Sequence, residues 1–348
     1  MTESFDSCPM PKSDHDRVLL AHGEGARLSR KLLRERLLPK LGNPTLDKLG
    51  DGALLPMLQG QIVVSTDSFV VQPLFFPGGD IGRLAVHGTV NDLAVMGAVP
   101  KFLSLAFILE EGLPFSVLDA VLDGIRIALE QCGLRVVTGD TKVVPRGACD
   151  GLFINTTGLG ILRPDCAWSL TQIQPGDRVL VSGTIADHGM AILTAREQVD
   201  AESLLESDCA PVHELTERLI PFGDAVRFSR DPTRGGVSAV FREISEATGL
   251  GVVVEEPRVP IRPAVRGACE LFGLDPLHVA NEGKILAVVA PEASEEVLKS
   301  LRLHRLGRDA ADIGAMSERY PGEVVCRGIL GALRVLDEPS GAPLPRIC

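Results

Sequence analysis

The apolar positions divide the chain into two halves of similar make-up. Leu28, Leu32, Leu33 and Leu37 recur at helical spacing, so Arg17–Leu38 is expected to be helical at its far end, after the glycine-punctuated His22-Gly23-Glu24-Gly25. Gln61–Ser65 and Lys101–Ile108 read as strands, Ile81–Met96 and Val117–Leu129 as helices, and Leu134–Thr138 and Leu152–Asn155 as strands again. Turn residues fill Leu162–Pro175, where Arg163-Pro164-Asp165 and Gln174-Pro175-Gly176-Asp177 mark a boundary. Beyond it the mixture repeats. A strand at Arg178–Ser182 is joined by helices near Gly189–Glu197, Val212–Ile220, Val237–Thr248 and Ala264–Phe272, and by strands at Val252–Glu255, Ile285–Ala290 and Glu323–Gly331. This pattern predicts an α+β chain of two mixed domains. The expected divisions are an N-terminal arm and helix over 1–44, a first domain over 45–165, a second over 166–336, and a flexible tail over 337–348. The last eleven residues, Glu338–Cys348, are too rich in Pro and Gly for a helix, and fully extended they reach about 30 Å.

Charge narrows the class of partner. With 35 basic and 46 acidic side chains among 348 residues, the net charge is −11, which argues against a basic face for nucleic acid or anionic membrane. No apolar run approaches the ~18 residues of a membrane span. Met1–Asp16 is too polar for a signal peptide, so the chain is expected to be cytoplasmic. The 8 cysteines are scattered singly, without a C-x-x-C pair or zinc spacing, so seven are expected to be passive thiols. The eighth, Cys348, is the last residue.

The candidate chemistry lies in acidic turns. Gly50-Asp51-Gly52, Ser65-Thr66-Asp67-Ser68, Asn91-Asp92, Thr138-Gly139-Asp140-Thr141-Lys142 and Asp231-Pro232-Thr233-Arg234-Gly235-Gly236 follow or interrupt apolar segments. Asp92 stands inside the apolar stretch Leu84–Val95, where an unpartnered carboxylate costs several kcal/mol. Its partner is a buried cation, a neighbouring backbone group, or a magnesium ion gathered by several carboxylates and shared with phosphates. Phe76–Gly82 and Thr233–Val237 are glycine-rich helix openings whose free N–H groups suit anions, while no P-loop or dinucleotide glycine motif occurs. Lys142 and Glu282 each adjoin a strand end; if both face the cleft, they form a proton-transfer pair. His188, in Asp187-His188-Gly189, could also face the cleft but reads first as a capping-turn residue. A thiol at the tip of a Pro-rich arm, as at Cys348, suits carrying a group between sites.

These motifs carry a family resemblance. Asp67–Pro73 with Phe75–Gly82, Gly88–Val95, Val137–Gly147, Asp231–Gly236, Asn281–Lys284 and the ending Pro345-Arg346-Ile347-Cys348 closely resemble the HypE family. These are the carbamoyl dehydratases of nickel–iron hydrogenase maturation, within the superfamily of aminoimidazole-ribonucleotide synthetase and selenophosphate synthetase. The likeness runs from His22 onward. Ala26 departs from it, standing where a second adjacent glycine is usual, and the first sixteen residues match nothing in it.

The resemblance implies a fold of the aminoimidazole-ribonucleotide synthetase type, with the N-terminal domain dimerising through a β-barrel. It also implies ATP and Mg2+ as cofactors. Cys348 would receive a carbamoyl group from the carbamoyltransferase HypF, ATP-dependent dehydration would convert it to a thiocyanate, and the cyanide would pass to iron on a HypC–HypD complex. By the same resemblance Glu282 and Lys142 transfer protons, and Asp51, Asp67, Asp92 and Asp231 hold metal. Asn91, Asp140, Thr141, Thr89, Thr66 and Gly79 contact nucleotide or metal. Two rival readings are another phosphoryl-transfer enzyme of the superfamily and a non-enzymatic maturation scaffold.

Overall fold

The computed structural model describes residues 16–198, 205–337, 344 and 346–348. The first fifteen residues of the expected arm, and residues 338–343 and 345 of the expected tail, lie outside this range. After a 3-10 turn at Leu20–His22, the helix expected beyond Gly25 begins at Arg27: α1 (Arg27–Leu32) passes through a π-type stretch, Leu33–Leu37, into α2 (Leu38–Leu41). Its buried leucines, Leu32, Leu37 and Leu41, rest on the first core.

That core belongs to a four-stranded sheet. In chain order its half comprises β1 (Ile62–Phe69), the short pair β2 (Phe75–Phe76) and β3 (Gly79–Asp80), α3 (Ile81–Val95), β4 (Ala98–Glu110), α4 (Phe115–Cys132), β5 (Val136–Val144) and β6 (Leu152–Leu162). The strand order is β1-β6-β4-β5, antiparallel except for the parallel β4/β5 pair. The alternation in β4 turns Leu103, Leu105, Phe107 and Leu109 toward the core that α3 and α4 also line. On β1 and β4, Ile62, Val64 and Ile108 are 56%, 58% and 41% exposed, so these strands carry apolar side chains on the surface as well.

Two motifs read as turns are regular structure. Ser65–Ser68 lies within β1, and Thr138–Lys142 continues β5, where pairing with β4 carries the extended backbone past Gly139. Glycine is required there because a Cβ would stand 2.1 Å from the Leu105 carbonyl oxygen.

The second half builds a seven-stranded sheet. Its elements are β7 (Arg178–Val181), α5 (Asp187–Arg196), α6 (His213–Glu217), β8 (Val226–Arg230), α7 (Gly236–Thr248), β9 (Gly251–Glu255) and α8 (Pro263–Phe272). They continue with β10 (Leu286–Val289), α9 (Ser294–Arg302), β11 (Ala311–Ser317), β12 (Val324–Arg327) and β13 (Leu333–Val335). The order is β13-β12-β9-β11-β7-β10-β8. The strand expected over Glu323–Gly331 instead closes after Arg327 into a hairpin, with Gly331 at φ +78° and the Gly328 N–H donating to Ala332.

The two halves meet through α3. Ala94 and Val95 at its end sit in one apolar cluster with Leu180, Val212, Leu215 and Ile285 of the second half. This contact sets the last turns of α3, and with them Asp92, beside the second domain.

Candidate active site

Four carboxylates from the two halves gather around the end of α3. Asp67 projects from β1, and the Thr89 hydroxyl donates to it at 3.0 Å. Asp92, just under one turn further on, accepts a hydrogen bond from Ser65. From the other half, Asp231 follows β8 and Glu282 precedes β10. Burial first, then the charges of Asp231 and Asp67, push the Asp92 carboxyl up to about 7. Burial likewise raises Asp231 to about 6. Glu282 is held well above the usual carboxylate range, by burial and then by Asp231, Asp208, Asp67 and Asp92.

The loop carrying Glu282 is rigidly held. The Asn281 amide donates to the Pro232 and Val279 carbonyls, while its oxygen accepts from the Ala186 N–H at 2.8 Å. The Asp208 carboxylate accepts from the Glu282 and Gly283 N–H groups and pairs with Lys284 at 3.0 Å. Gly283 admits no side chain, since a Cβ would lie 1.9 Å from the Asp208 carbonyl oxygen. Lys284 therefore neutralises Asp208, and Glu282 is left facing other acids.

The chain terminus docks beside this cluster. Val70 N–H donates to a Cys348 terminal oxygen at 3.1 Å, and Gln72 N–H to the Arg346 carbonyl at 3.4 Å. Burial, then Glu282 and Asp67, push the Cys348 thiol up to about 12, against the opposing charge of Arg234. Docked, Cys348 is a neutral thiol. His188, expected to cap a turn, is fully buried, and its Nε2 donates to the Ile347 carbonyl at 2.8 Å. Its Nδ1 lies 2.8 Å from the Ser207 hydroxyl, which fixes the ring.

A separate cavity of about 630 Å³ opens between α1–α2 and β5, lined by His22–Gly25, Gly50, Gly52 and Thr138–Lys142 among others. Its volume suits a small-molecule ligand. Lys142 Nζ stands 3.1 Å from Asp140 there. β5 and β1 are opposite edges of the sheet, and the pairing puts Asp67 in line with Gly139 across β6 and β4. Three strand spacings place them about 14 Å apart. Within one chain, Lys142 and Glu282 are therefore placed in different sites.

The expected ligand residues divide accordingly. Asp67, Asp92 and Asp231 share the cleft with Glu282, whereas Asp51 lies between two glycines lining the cavity. Asp140 and Thr141 line that cavity as well. Asn91 is not open to a ligand: its amide donates to the Ala210 and Glu282 carbonyls and its oxygen accepts from Val212 N–H, clasping α3 to the second domain. Thr89 is fully buried between Asp67 and Thr156. Thr66 donates to the Thr156 carbonyl and, by strand alternation, faces away from Asp67. Gly79 packs against Phe76, and Asp80 caps α3 where an open anion cradle was expected.

Among the described residues, no three His, Cys, Asp or Glu side chains converge closely enough to hold a metal by themselves. The donor set still fits Mg2+, a hard ion usually held by one or two carboxylates with phosphate and water supplying the rest. A cation here would relieve the mutual repulsion that raises Asp92.

Models of the AIR synthase related protein N-terminal and C-terminal domains match residues 50–162 and 174–327. The carbamoyl dehydratase HypE of Bradyrhizobium diazoefficiens is 46% identical over 332 residues, 95% of this chain and 96% of that protein. The chain belongs to the HypE family of carbamoyl dehydratases. A solved HypE structure in complex with ATP matches with a TM-score of 0.91 at 43% identity, covering 95% of this chain and 99% of that one. A HypE–HypF complex matches with a TM-score of 0.78 at 44% identity, covering 88% and 99%. Among the described residues, no helix is long and apolar enough to cross a membrane.

Set against the HypE motifs, sequence reasoning missed Asp208 and Arg196, and it ranked a capping role for His188 above the place in the cleft that His188 takes. The Arg196 guanidinium donates to the Gln72 carbonyl and, at 2.9 Å, to the Arg346 carbonyl. His188 alone had a signal, as a histidine beside Asp187 before an apolar helix. Asp208 and Arg196 sit in ordinary polar surroundings, and only tertiary contacts reveal them.

Proposed function

We propose that this protein converts the S-carbamoyl group of its own C-terminal cysteine into a thiocyanate at the expense of ATP, supplying cyanide for the iron of a nickel–iron hydrogenase. The observation that carries this reading is the docking of Cys348 against Glu282 and Asp67 in the cleft between the domains.

The carbamoyl oxygen is a poor leaving group, and taking the γ-phosphoryl of ATP makes it a good one. Glu282 then removes N–H protons, the C–O bond breaks with release of phosphate, and the carbon–nitrogen triple bond forms. In total, thiocarbamate and ATP give thiocyanate, ADP and phosphate. A buried glutamate with a raised pKa is a stronger base once ionised than an exposed one, which suits this role. Asp67, Asp92 and Asp231 would hold Mg2+, which offsets phosphate charge. Asp140, Thr141 and Lys142 line a cavity suited to nucleotide, and Lys142 there offers a cation to phosphate; since that cavity and the Glu282 cleft lie apart within one chain, the reaction requires the cavity of one subunit to meet the cleft of its neighbour across a homodimer. Asp51 lies close enough in sequence to that cavity to join a metal on the phosphate side.

The neutral, buried thiol is a poor nucleophile, so carbamoylation requires release of the tail toward its donor. HypF is that donor on this reading, as supported by the relative solved in complex with HypF. A HypC–HypD complex accepts the cyanide. The exposed apolar positions on β1 and β4 suit joining of two N-terminal sheets in a homodimer, with residues 45–165 as the nucleotide-binding and dimerising domain.

Intact-mass analysis tests the reaction. Incubation with the carbamoyl donor system adds one carbamoyl group to Cys348, and MgATP then removes one water. Glu282→Gln retains the carbamoylated form. An unchanged tail peptide refutes the carrier role, and normal dehydration by the variant removes Glu282 from the reaction.

A further inference from the structure

The docked tail is held mostly through its backbone. Val70 and Gln72 N–H groups, His188 and Arg196 all bind oxygens that any sequence would present. Ile347 is buried in the first apolar core, a non-directional contact. Arg346 differs. Its Nε and Nη2 donate to the Val70 carbonyl at 3.2 and 3.1 Å, its Nη1 pairs with Asp150, and its guanidinium carbon lies 5.8 Å from the centre of the Phe153 ring.

We propose that Asp150, the Val70 carbonyl and the Phe153 ring form a guanidinium receptor that reads Arg346 and sets how firmly the Cys348 tail remains in the cleft. The proposal deepens the role given to Cys348 above, because it concerns when the carrier is enclosed. A guanidinium presents its N–H groups as a planar fork and meets the carbonyl and the carboxylate together, while a lysine ammonium is a point charge that does not reproduce the fork. The receptor also has strain to offset. Arg346 adopts φ +55°, a left-handed backbone that disfavours a side-chain-bearing residue. Without the guanidinium contacts that strain favours release.

The receptor acts locally. Asp150 is 50% exposed and precedes β6, so replacing it removes a contact to the tail without opening a core. Val70 is engaged at both its N–H, by Cys348, and its carbonyl, by Arg346, so the receptor and the thiol-bearing residue bind the same residue of the domain.

The test uses the full-length chain and alkylation by N-ethylmaleimide, with each cysteine followed by peptide mass. Arg346→Lys and Asp150→Asn each speed labelling of Cys348 by about tenfold, the effect of losing one charged hydrogen-bonded contact. Buried Cys269 and Cys326 stay protected and report an intact fold. The double variant labels faster than either single variant, but by less than the product of their two effects, because both changes weaken the contact between residue 346 and residue 150. In 1 M salt the unmodified chain labels faster and Asp150→Asn changes little. A rise below threefold in either single variant, additive single effects, or salt-insensitive labelling of the unmodified chain overturns the receptor. None of these measurements needs ATP or a carbamoyl donor. Their failure leaves the carrier role of Cys348 standing, and an uncarbamoylated Cys348 leaves the receptor standing.

Discussion

Replacing Asp92 by Asn should make the ligand-free protein more stable and at the same time blunt its response to MgATP. The folded carboxyl sits at about 7 against an ordinary value of 3.8, a difference of about 3 units. At about 1.4 kcal/mol per unit, ionising Asp92 in the folded protein costs at most about 4 kcal/mol. Asp67 and Asp231 adjust their own protonation, and water reaches part of the group, so the expected net effect is about 2 kcal/mol. Asn keeps an acceptor for Ser65 and removes only the charge.

The sign follows from a raised folded pKa in an acid. The penalty is absent below pH ~4, where the group is protonated in both states. It grows from pH ~4 to ~7 and is constant above. In urea titrations without metal, Asp92→Asn should match the unmodified chain at pH 4 and exceed it by about 2 kcal/mol at pH 8. Adding MgATP at a hundredfold excess over Kd should stabilise the unmodified chain by roughly 2.7 kcal/mol and the variant by much less. Equal stability at pH 8, or a gain undiminished at pH 4, refutes the account of the cluster as an unneutralised cation site.

Asn91→Ala strips three buried hydrogen bonds from the seam between α3 and the second domain, and should lower stability by roughly 3–5 kcal/mol in urea titration. It should also slow dehydration, because the Glu282 carbonyl loses its anchor; an unchanged midpoint would contradict the clasp. Val64→Lys places a charge on the exposed apolar side of β1; if that face joins two N-terminal sheets as proposed, sedimentation at one concentration should find the unmodified chain dimeric and the variant monomeric. A dimer that survives this change does not use that surface.

The elements legible in the sequence were those with strong local patterns. The α3 and α4 stretches have helical spacing over several turns, and the runs in β1, β4 and β6 are apolar and β-branched, so existence and type followed, though ends did not. β11 and α9 were not foreseen. Ala311–Ser317 contains a glycine and an aspartate and has little alternation of its own; it is a strand because β9 and β7 pair with it on both sides. The helix α9 is short and strongly charged; its apolar positions, Val297, Leu298 and Leu301, do fall on one helical face, but nine residues repeat that pattern over too few turns to stand out along the chain.

The site divides along the same line. Chain chemistry alone determined that carboxylates stand where apolar segments need partners, that a thiol ends the chain, and that motifs across both halves resemble one enzyme family. Contacts between residues far apart in sequence decided the rest. They joined Asp67 and Asp92 to Asp231 and Glu282 while sending Lys142 and Asp140 to a cavity across the sheet. They also turned Asn91 and Thr89 into structural clasps and recruited His188, Arg196 and Asp150 to the tail. The physical reason is that a polar group's role depends on which partner satisfies it once water is excluded, and the fold, rather than the residue's neighbours along the chain, chooses that partner.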